Sequence, residues 1–533
     1  PHAWRYRDYV IAAFNADKPY NQFLREQLAG DLLDAKDDAQ KSEFQTATGF
    51  LAIGPKTHNE RNRRQFEIDL ADEQIDVTFQ AFQALTVACA RCHDHKFDPI
   101  PQRDYYALSG IFRSTQTCYG TIRIIQNNQP SPLLELPKNG DATVGLEPLT
   151  TERRAGIEKQ MKDLRERAAK VTGQNAFIQR IFLGSRRAVL ASQLTRYESD
   201  GTPKRLAMGV RERSFPSDSR LYVRGELDQP GDIVPRGFPQ VVTTKQPAIK
   251  SGSGRRELAD WMASPDNPLT ARVMVNRVWL HLIGRGLVAT PDNFGASGQK
   301  PSHPALLDHL ALSFIDNGWS VKKIVRSIVL SRAYRLSSRF DEKNFEVDPD
   351  NVFVWRMPKH RLEAEALRDT MLALAGRLDL TPPKGSAVER NGEGNIGFRF
   401  RGGEAMDTHR TVYLPIVRDL VPESLALFDF PDPSLIIGER ATTTVPAQSL
   451  YLMNNSFVIR QAEAMADKLL AGGNDDSARL TQAYLLCYAR PPSAKEMQVA
   501  RKFLDNYGQK KTRRATWTAL CQAFFASAEF SHR

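Results

Sequence analysis

The chain has 533 residues, of which 41% are hydrophobic, 25% charged and 9% aromatic, the proportions of a folded globular protein of three or four domains. It contains no repeat, no biased tract and no run near the ~18 consecutive apolar residues of a membrane-crossing helix, which excludes disordered, collagen-like and membrane-spanning classes. Lys and Arg number 73 against 62 Asp and Glu, a formal charge of +11, but the basic residues are spread along the chain, as on a solvated mixed surface.

Residues 1–117 read as a helix-rich unit. Trp4, Tyr6, Tyr9, Val10, Ile11 and Phe14 fall at three- and four-residue spacings, the pattern of a packed amphipathic helix. Asp17-Lys18-Pro19 ends it, and Tyr20 to Leu33 forms a second helix. From Phe66 onward, Ile68, Ile75, Phe79, Phe82, Leu85, Cys89 and Cys92 step by seven, four, three, three, four and three. That spacing predicts one helical face running to Cys92, bounded by Pro99 and Pro101.

Residues 118–250 differ. A charged helix is expected over Thr151 to Lys170, then short strands at Arg220–Arg224 and Val241–Thr244 among Gly and Pro turns. Lys250 to Arg256, rich in Ser, Gly and Arg, reads as a linker. Residues 251–533 return to the helical period over Leu258–Met262, Leu269–Ile283, Pro304–Ile315, Val321–Leu330, Leu362–Leu378, Ala447–Leu470, Ala478–Tyr488, Ala494–Tyr507 and Ala515–Ala528. Gly284 and Gly318 stand where helix C-termini need a left-handed residue. Residues 379–445 interrupt the pattern with extended pieces at Phe398–Phe400 and Arg410–Leu414. The expected fold is mainly α: a helical N-terminal haem-binding domain (1–117), a small mixed or β middle module (118–250) and a large helical C-terminal domain with an irregular β-containing insert (251–533).

Cys89-Ala-Arg-Cys92-His93 has the spacing of a c-type haem attachment site, and chance produces it in such a chain only roughly once in a thousand. Two cysteines three apart on a helix share a face, so both sulfurs can bond the vinyl groups of one porphyrin, and His93 offers its imidazole to the iron. Zinc is a second reading, but Cys89, Cys92, His93 and His95 lie within seven residues, so one ion would require the chain to unwind or Cys118 to contribute. A redox dithiol is a third, although such pairs favour helix N-termini; structural thiols are the last. His95 lies about 200° around a helix from His93 and cannot reach the opposite haem face. His58, in a polar loop, is the candidate sixth ligand, and Arg61, Arg63 and Arg64 are candidate partners for propionates.

Other polar residues stand out less. Asn276, Arg277 and His281 interrupt an apolar helix and read first as a structural network. His303 precedes Pro304 at a helix start. Asp407, His409 and Arg410 lie in the irregular insert, and with Arg418, Asp429 and Arg440 they outline a conceivable cleft for carbohydrate or an anionic glycan. Nothing beyond net charge points to nucleotide or nucleic-acid chemistry.

Trp4-Arg-Tyr-Arg-Asp-Tyr-Val10, Gln27-Leu-Ala-Gly-Asp31, Ala47-Thr-Gly-Phe50 and Cys89-Ala-Arg-Cys-His-Asp-His-Lys-Phe-Asp-Pro99, followed by Asp104-Tyr-Tyr106, resemble the planctomycete cytochrome-associated family. Asn276-Arg-Val-Trp279, Gly284-Arg-Gly-Leu287, Asn293-Phe-Gly295, Ser302-His-Pro304, Gly318-Trp319, Arg361-Leu-Glu-Ala-Glu365, Phe428-Asp429, Thr442-Thr-Thr444 and Asn454-Asn455 resemble its regular C-terminal companion domain. The resemblance implies a secreted or periplasmic protein carrying haem c. It also implies partners such as another cytochrome or a sulfatase-fold protein. Against that family pattern, the chain is expected to lack the usual preceding cytochrome c domain and opening segment. The chain starts at Pro1 without Met or a signal-peptide pattern, so an address segment is expected to have been removed.

The expected function is therefore electron transfer by a periplasmic or secreted c-type cytochrome with a single haem, serving a redox partner or a polysaccharide-linked process. The alternatives are a haem enzyme acting on carbohydrate or a small oxidant, and an interaction scaffold with zinc or paired thiols.

Overall fold

The computed structural model describes residues 2–122, 127–139, 146–243, 246, 248–383, 385, 386, 388, 407–418, 420–472 and 475–532. The expected extended piece at Phe398–Phe400 and the last residue of Val241–Thr244 lie outside them. The described residues are 53% helical and 6% strand, so the mainly α expectation holds. None of their helices is long and apolar enough to cross a membrane. The chain divides into two compact units, Pro1–Met357 with Lys384–Ile396, and Pro358–Pro383 with Gly397–Arg533.

The first unit opens with α1 (Ala3–Asn15), α2 (Tyr20–Ala29), α3 (Asp38–Ala47), α4 (Phe50–Ile53), α5 (Arg63–Gln83) and α6 (Gln102–Arg113). Asp17, in the left-handed region at φ 52°, makes the break between α1 and α2. Six short strands follow, β1 (Thr115–Cys118), β2 (Leu134–Glu135), β3 (Leu206–Ala207), β4 (Gly209–Glu212), β5 (Ser219–Tyr222) and β6 (Pro230–Val234). They pair antiparallel as β1–β4, β2–β3 and β5–β6. Between β2 and β3 stand α7 (Thr151–Lys170) and α8 (Ala176–Leu194). The unit closes with α9 (Arg255–Met262), α10 (Thr270–Ile283), α11 (Pro304–Asp316), α12 (Val321–Val329) and α13 (Glu342–Val347). One apolar core joins Leu24, Ile75, Phe79 and Tyr105 of the early helices to Leu258, Val275, Trp279 and Phe314 of the late ones. The N-terminal helices and α9–α12 therefore bury their faces against each other rather than in separate cores.

The second unit holds α14 (Ala364–Leu374), α15 (Glu423–Leu427), α16 (Pro446–Asn454), α17 (Ser456–Ala471), α18 (Asp476–Tyr488), α19 (Ala494–Gly508), α20 (Arg513–Phe525) and α21 (Ala528–Ser531). Their core is built from Met371, Val458, Met465, Leu480, Trp517 and Phe525.

Five expectations need correction. Arg410–Leu414, read as extended, holds a 3-10 helix at Thr411–Tyr413, where Thr411 N and Oγ1 both donate to Asp369 Oδ1 at 2.8 and 2.6 Å. The helix read from Phe66 to Cys92 stops at Gln83, because Ala84 turns left-handed at φ 49°. The helix's last carbonyls then find other donors: Ala84 O accepts from Phe294 N at 2.7 Å and Gln80 O from Arg277 Nη2 at 2.9 Å. Residues 240–242 form a 3-10 turn instead of a strand, since the Gln240 backbone and side-chain amides both bond Asp104, at 2.8 and 2.9 Å. Ala447–Leu470 is two helices, broken where the Asn455 side chain caps Phe457 N at 2.8 Å. The residues read as a linker, 250–256, lie within the first unit, where Ser253 and Arg255 are fully buried.

Candidate functional site

Beyond Ala84 the chain enters a 3-10 helix, Val87–Arg91, with Cys92 as its C-terminal cap. In a 3-10 helix residues three apart eclipse each other. Val87 and Ala90 therefore share the buried side, both at 0% exposure, while Cys89 and Cys92 share the open side as free, exposed thiols. The common face inferred from α-helical spacing survives with different backbone geometry. Burial and the nearby Asp76 charge push the Cys89 thiol above its ordinary pKa. Cys89 thus lacks the thiolate-stabilising surroundings of a redox nucleophile.

The loop carrying the pair is fixed on every side. Arg91 bonds Asp69 at 2.9 Å and approaches Asp72 at 3.3 Å, both on α5. Its carbonyl accepts from Gln102 Nε2 at 2.8 Å and Tyr106 Oη at 3.1 Å, both on α6. Asp94 caps α6 by accepting from Gln102 N at 2.8 Å. The His95 side chain, 5% exposed, folds inward. Its Nδ1 accepts from Phe97 N and Asp98 N at 3.2 and 2.8 Å, so the proton sits on Nε2, which donates to Thr86 Oγ1 at 3.1 Å. With both ring nitrogens engaged, His95 organises the loop. Among the described residues no three His, Cys, Asp or Glu side chains converge as a metal-ligand group.

Asp98 locks the loop to the segment after α10. Its Oδ1 accepts from Ala296 N at 2.6 Å, and a Cβ placed on Gly295 would lie 2.3 Å from Oδ2. Only glycine admits so close a carboxylate. The Asn293-Phe-Gly295 motif is therefore the seat of the Asp-Pro end of the cysteine motif. Both motifs are plain in the sequence, but no local pattern signals that they touch.

The remaining wall comes from the turn between β5 and β6. A Cβ on Gly225, at φ 76°, would stand 3.0 Å from Cys92 Sγ, so only a glycine lets the turn approach the sulfur this closely. The Tyr222 carbonyl accepts from Gln102 Nε2 at 3.1 Å, and Tyr222 Oη accepts from Arg64 Nη2 at 2.9 Å. Tyr222 and Gly225 are site residues that the sequence did not announce. His93 stays exposed, its Nδ1 2.6 Å from the Asp94 carbonyl. Exposed Phe97 and Val223 lie on the adjoining turns. The donor set fits covalent haem: two accessible thiols and an accessible imidazole.

The other candidates separate. Arg64 reaches this wall through Tyr222, whereas Arg63 pairs with Glu67 at 3.2 Å and is largely exposed. The His58 ring stands 5.5 Å from that of Tyr119, and its carbonyl accepts from Asn128 N at 2.9 Å. Asn276, fully buried, bonds both backbone groups of Val288, at 2.8 and 2.9 Å, the structural role expected of it. His303 precedes Pro304 at the first turn of α11, as expected. In the second unit the insert residues sort into internal pairs. His409 Nδ1 meets Asp407 at 2.9 Å, Arg440 grips Glu365 at 2.7 and 2.9 Å, and Asp429 pairs with Arg361 and Thr443.

The molecule is thus a mainly helical protein that presents a Cys-x-x-Cys-His turn on a rigid surface loop. Residues 1–117 match the family model described as Protein of unknown function (DUF1549), and residues 254–504 the one described as Protein of unknown function (DUF1553). These are the paired planctomycete-type domains. No curated protein and no solved structure matches the chain. The contact between Asp98 and Gly295 joins the two matched stretches inside the first unit.

Proposed function

We propose that the chain is a periplasmic or secreted c-type cytochrome acting in electron transfer, with one haem c held through thioethers at Cys89 and Cys92 and through His93 as axial ligand. The supporting observation is the eclipsed, exposed pair of free thiols followed directly by an exposed imidazole. When bound, the haem iron supplies one-electron exchange, with a potential set by its axial ligands and burial. The chain's own part is placement. The 3-10 turn aims both sulfurs outward, the His95 and Asp98 contacts hold the turn, and Arg64 on Tyr222 offers a cation for a propionate. Thioether attachment takes place outside the cytoplasm, which supports the proposed location. A redox partner protein, another cytochrome or a sulfatase-fold protein among the candidates, would dock on the open face.

A Cys89→Ala/Cys92→Ala chain, expressed in a host that matures c-type cytochromes, is expected to lose all covalent haem stain on a denaturing gel. Its far-ultraviolet circular dichroism should stay unchanged, because both thiols are exposed. Retained covalent haem would overturn the proposal.

A further inference from the structure

The helical hairpin of α7 and α8 carries a feature that haem chemistry leaves unused. The two helices pack chiefly against each other, with Ile157 and Leu164 of α7 buried. The free end is different. Phe177, Ile178 and Phe182 are 76%, 54% and 61% exposed, and Ile181 stands beside them. Such a cluster of large apolar side chains in the open marks a contact surface.

Charge says which surface it is. Residues 171–179, Val-Thr-Gly-Gln-Asn-Ala-Phe-Ile-Gln, carry no charge, and basic residues flank them: Arg167 and Lys170 on α7, Arg180 on α8. Helix α8 adds Arg186 and Arg187 and has no acidic residue. Over Thr151–Leu194 ten Lys and Arg stand against four Asp and Glu. A second copy would bring the same positive charge to the contact. An anionic polysaccharide would satisfy the charges and leave the aromatic tip wet. A bilayer with anionic headgroups answers both features, accepting the apolar tip at the headgroup boundary and the basic collar around it.

We propose that the α7–α8 hairpin is a peripheral anchor that seats Phe177, Ile178, Ile181 and Phe182 in an anionic lipid surface. The test is flotation of the full chain with vesicles of phosphatidylcholine mixed with phosphatidylglycerol, beside vesicles of phosphatidylcholine alone. The chain is expected to float with the anionic vesicles at low salt, and its partition to fall about tenfold in Phe177→Ser/Phe182→Ser and in Arg167→Glu/Lys170→Glu. All four side chains are exposed, so an unchanged thermal transition should accompany the loss. In a Phe182→Trp chain, emission should shift to the blue on anionic vesicles and be quenched by brominated acyl chains. Absence of flotation, or flotation unchanged in the serine variant, would overturn the proposal. Concentration-dependent self-association abolished by the serine variant, without vesicle binding, would also overturn it and assign the tip to a second copy.

Discussion

Arg255→Ala is expected to destabilise the first unit by about 3–5 kcal/mol, the cost of stranding a buried carboxylate. Arg255 opens α9 with its side chain at 0% exposure. Its fork meets both oxygens of Asp31 at 2.7 and 2.8 Å, Glu212 at 3.1 Å and the Leu28 carbonyl at 3.0 Å. Burial opposes the charge, yet Asp31 and Glu212 hold the guanidinium above its ordinary pKa. Removing it leaves Asp31, itself 7% exposed, without its cation. Arg255→Lys should recover only part of the loss, since an ammonium cannot meet both carboxylate oxygens in parallel. Urea unfolding followed by circular dichroism measures this; an alanine variant within about 0.5 kcal/mol of the parent would contradict the account of that core.

Gly295→Ala should act directly on the cysteine loop. The added Cβ would meet Asp98 at 2.3 Å from Oδ2 and 2.6 Å from Oδ1, distances no carbon occupies. Either the carboxylate moves and releases Ala296 N, or the segment after α10 backs away and loosens Phe294 N from Ala84 O. Overpacking plus a broken charge-assisted hydrogen bond costs about 2–4 kcal/mol. The loop should then open locally, so tryptic cleavage at exposed Lys96 accelerates and covalent haem yield falls. Adding Asp98→Ala removes the obstructing group, so the double variant should lose less than the two single losses together. Cleavage at the parent's rate in Gly295→Ala would show that this contact does not hold the loop.

How far the sequence was legible follows from where the determinants lie. Buried Ile68, Ile75, Phe79 and Phe82 declare the α5 face by spacing alone. The end of α5 carries no Gly or Pro; it is set by Arg277 and Phe294, some 200 residues away, which no local pattern contains. The shared face of Cys89 and Cys92 was readable all the same, because both kinds of helix align residues three apart. Asn455 was a visible N-cap signal hidden within a continuous helical period. Helix α8 is not legible in the sequence because its apolar residues cluster on an exposed face, where periodicity no longer reports burial. Tyr222 and Gly225 enter the site only through strand pairing, and Gly295 only through its missing Cβ.

Covalent haem at Cys89 and Cys92 is the proposal on which the functional reading stands. Its most direct measurement is the reduced pyridine-haemochrome spectrum together with the intact mass, on protein from a host that matures c-type cytochromes. A c-type band and the added mass of one haem are expected. An unshifted mass without the band would contradict the proposal and return the pair to thiol chemistry.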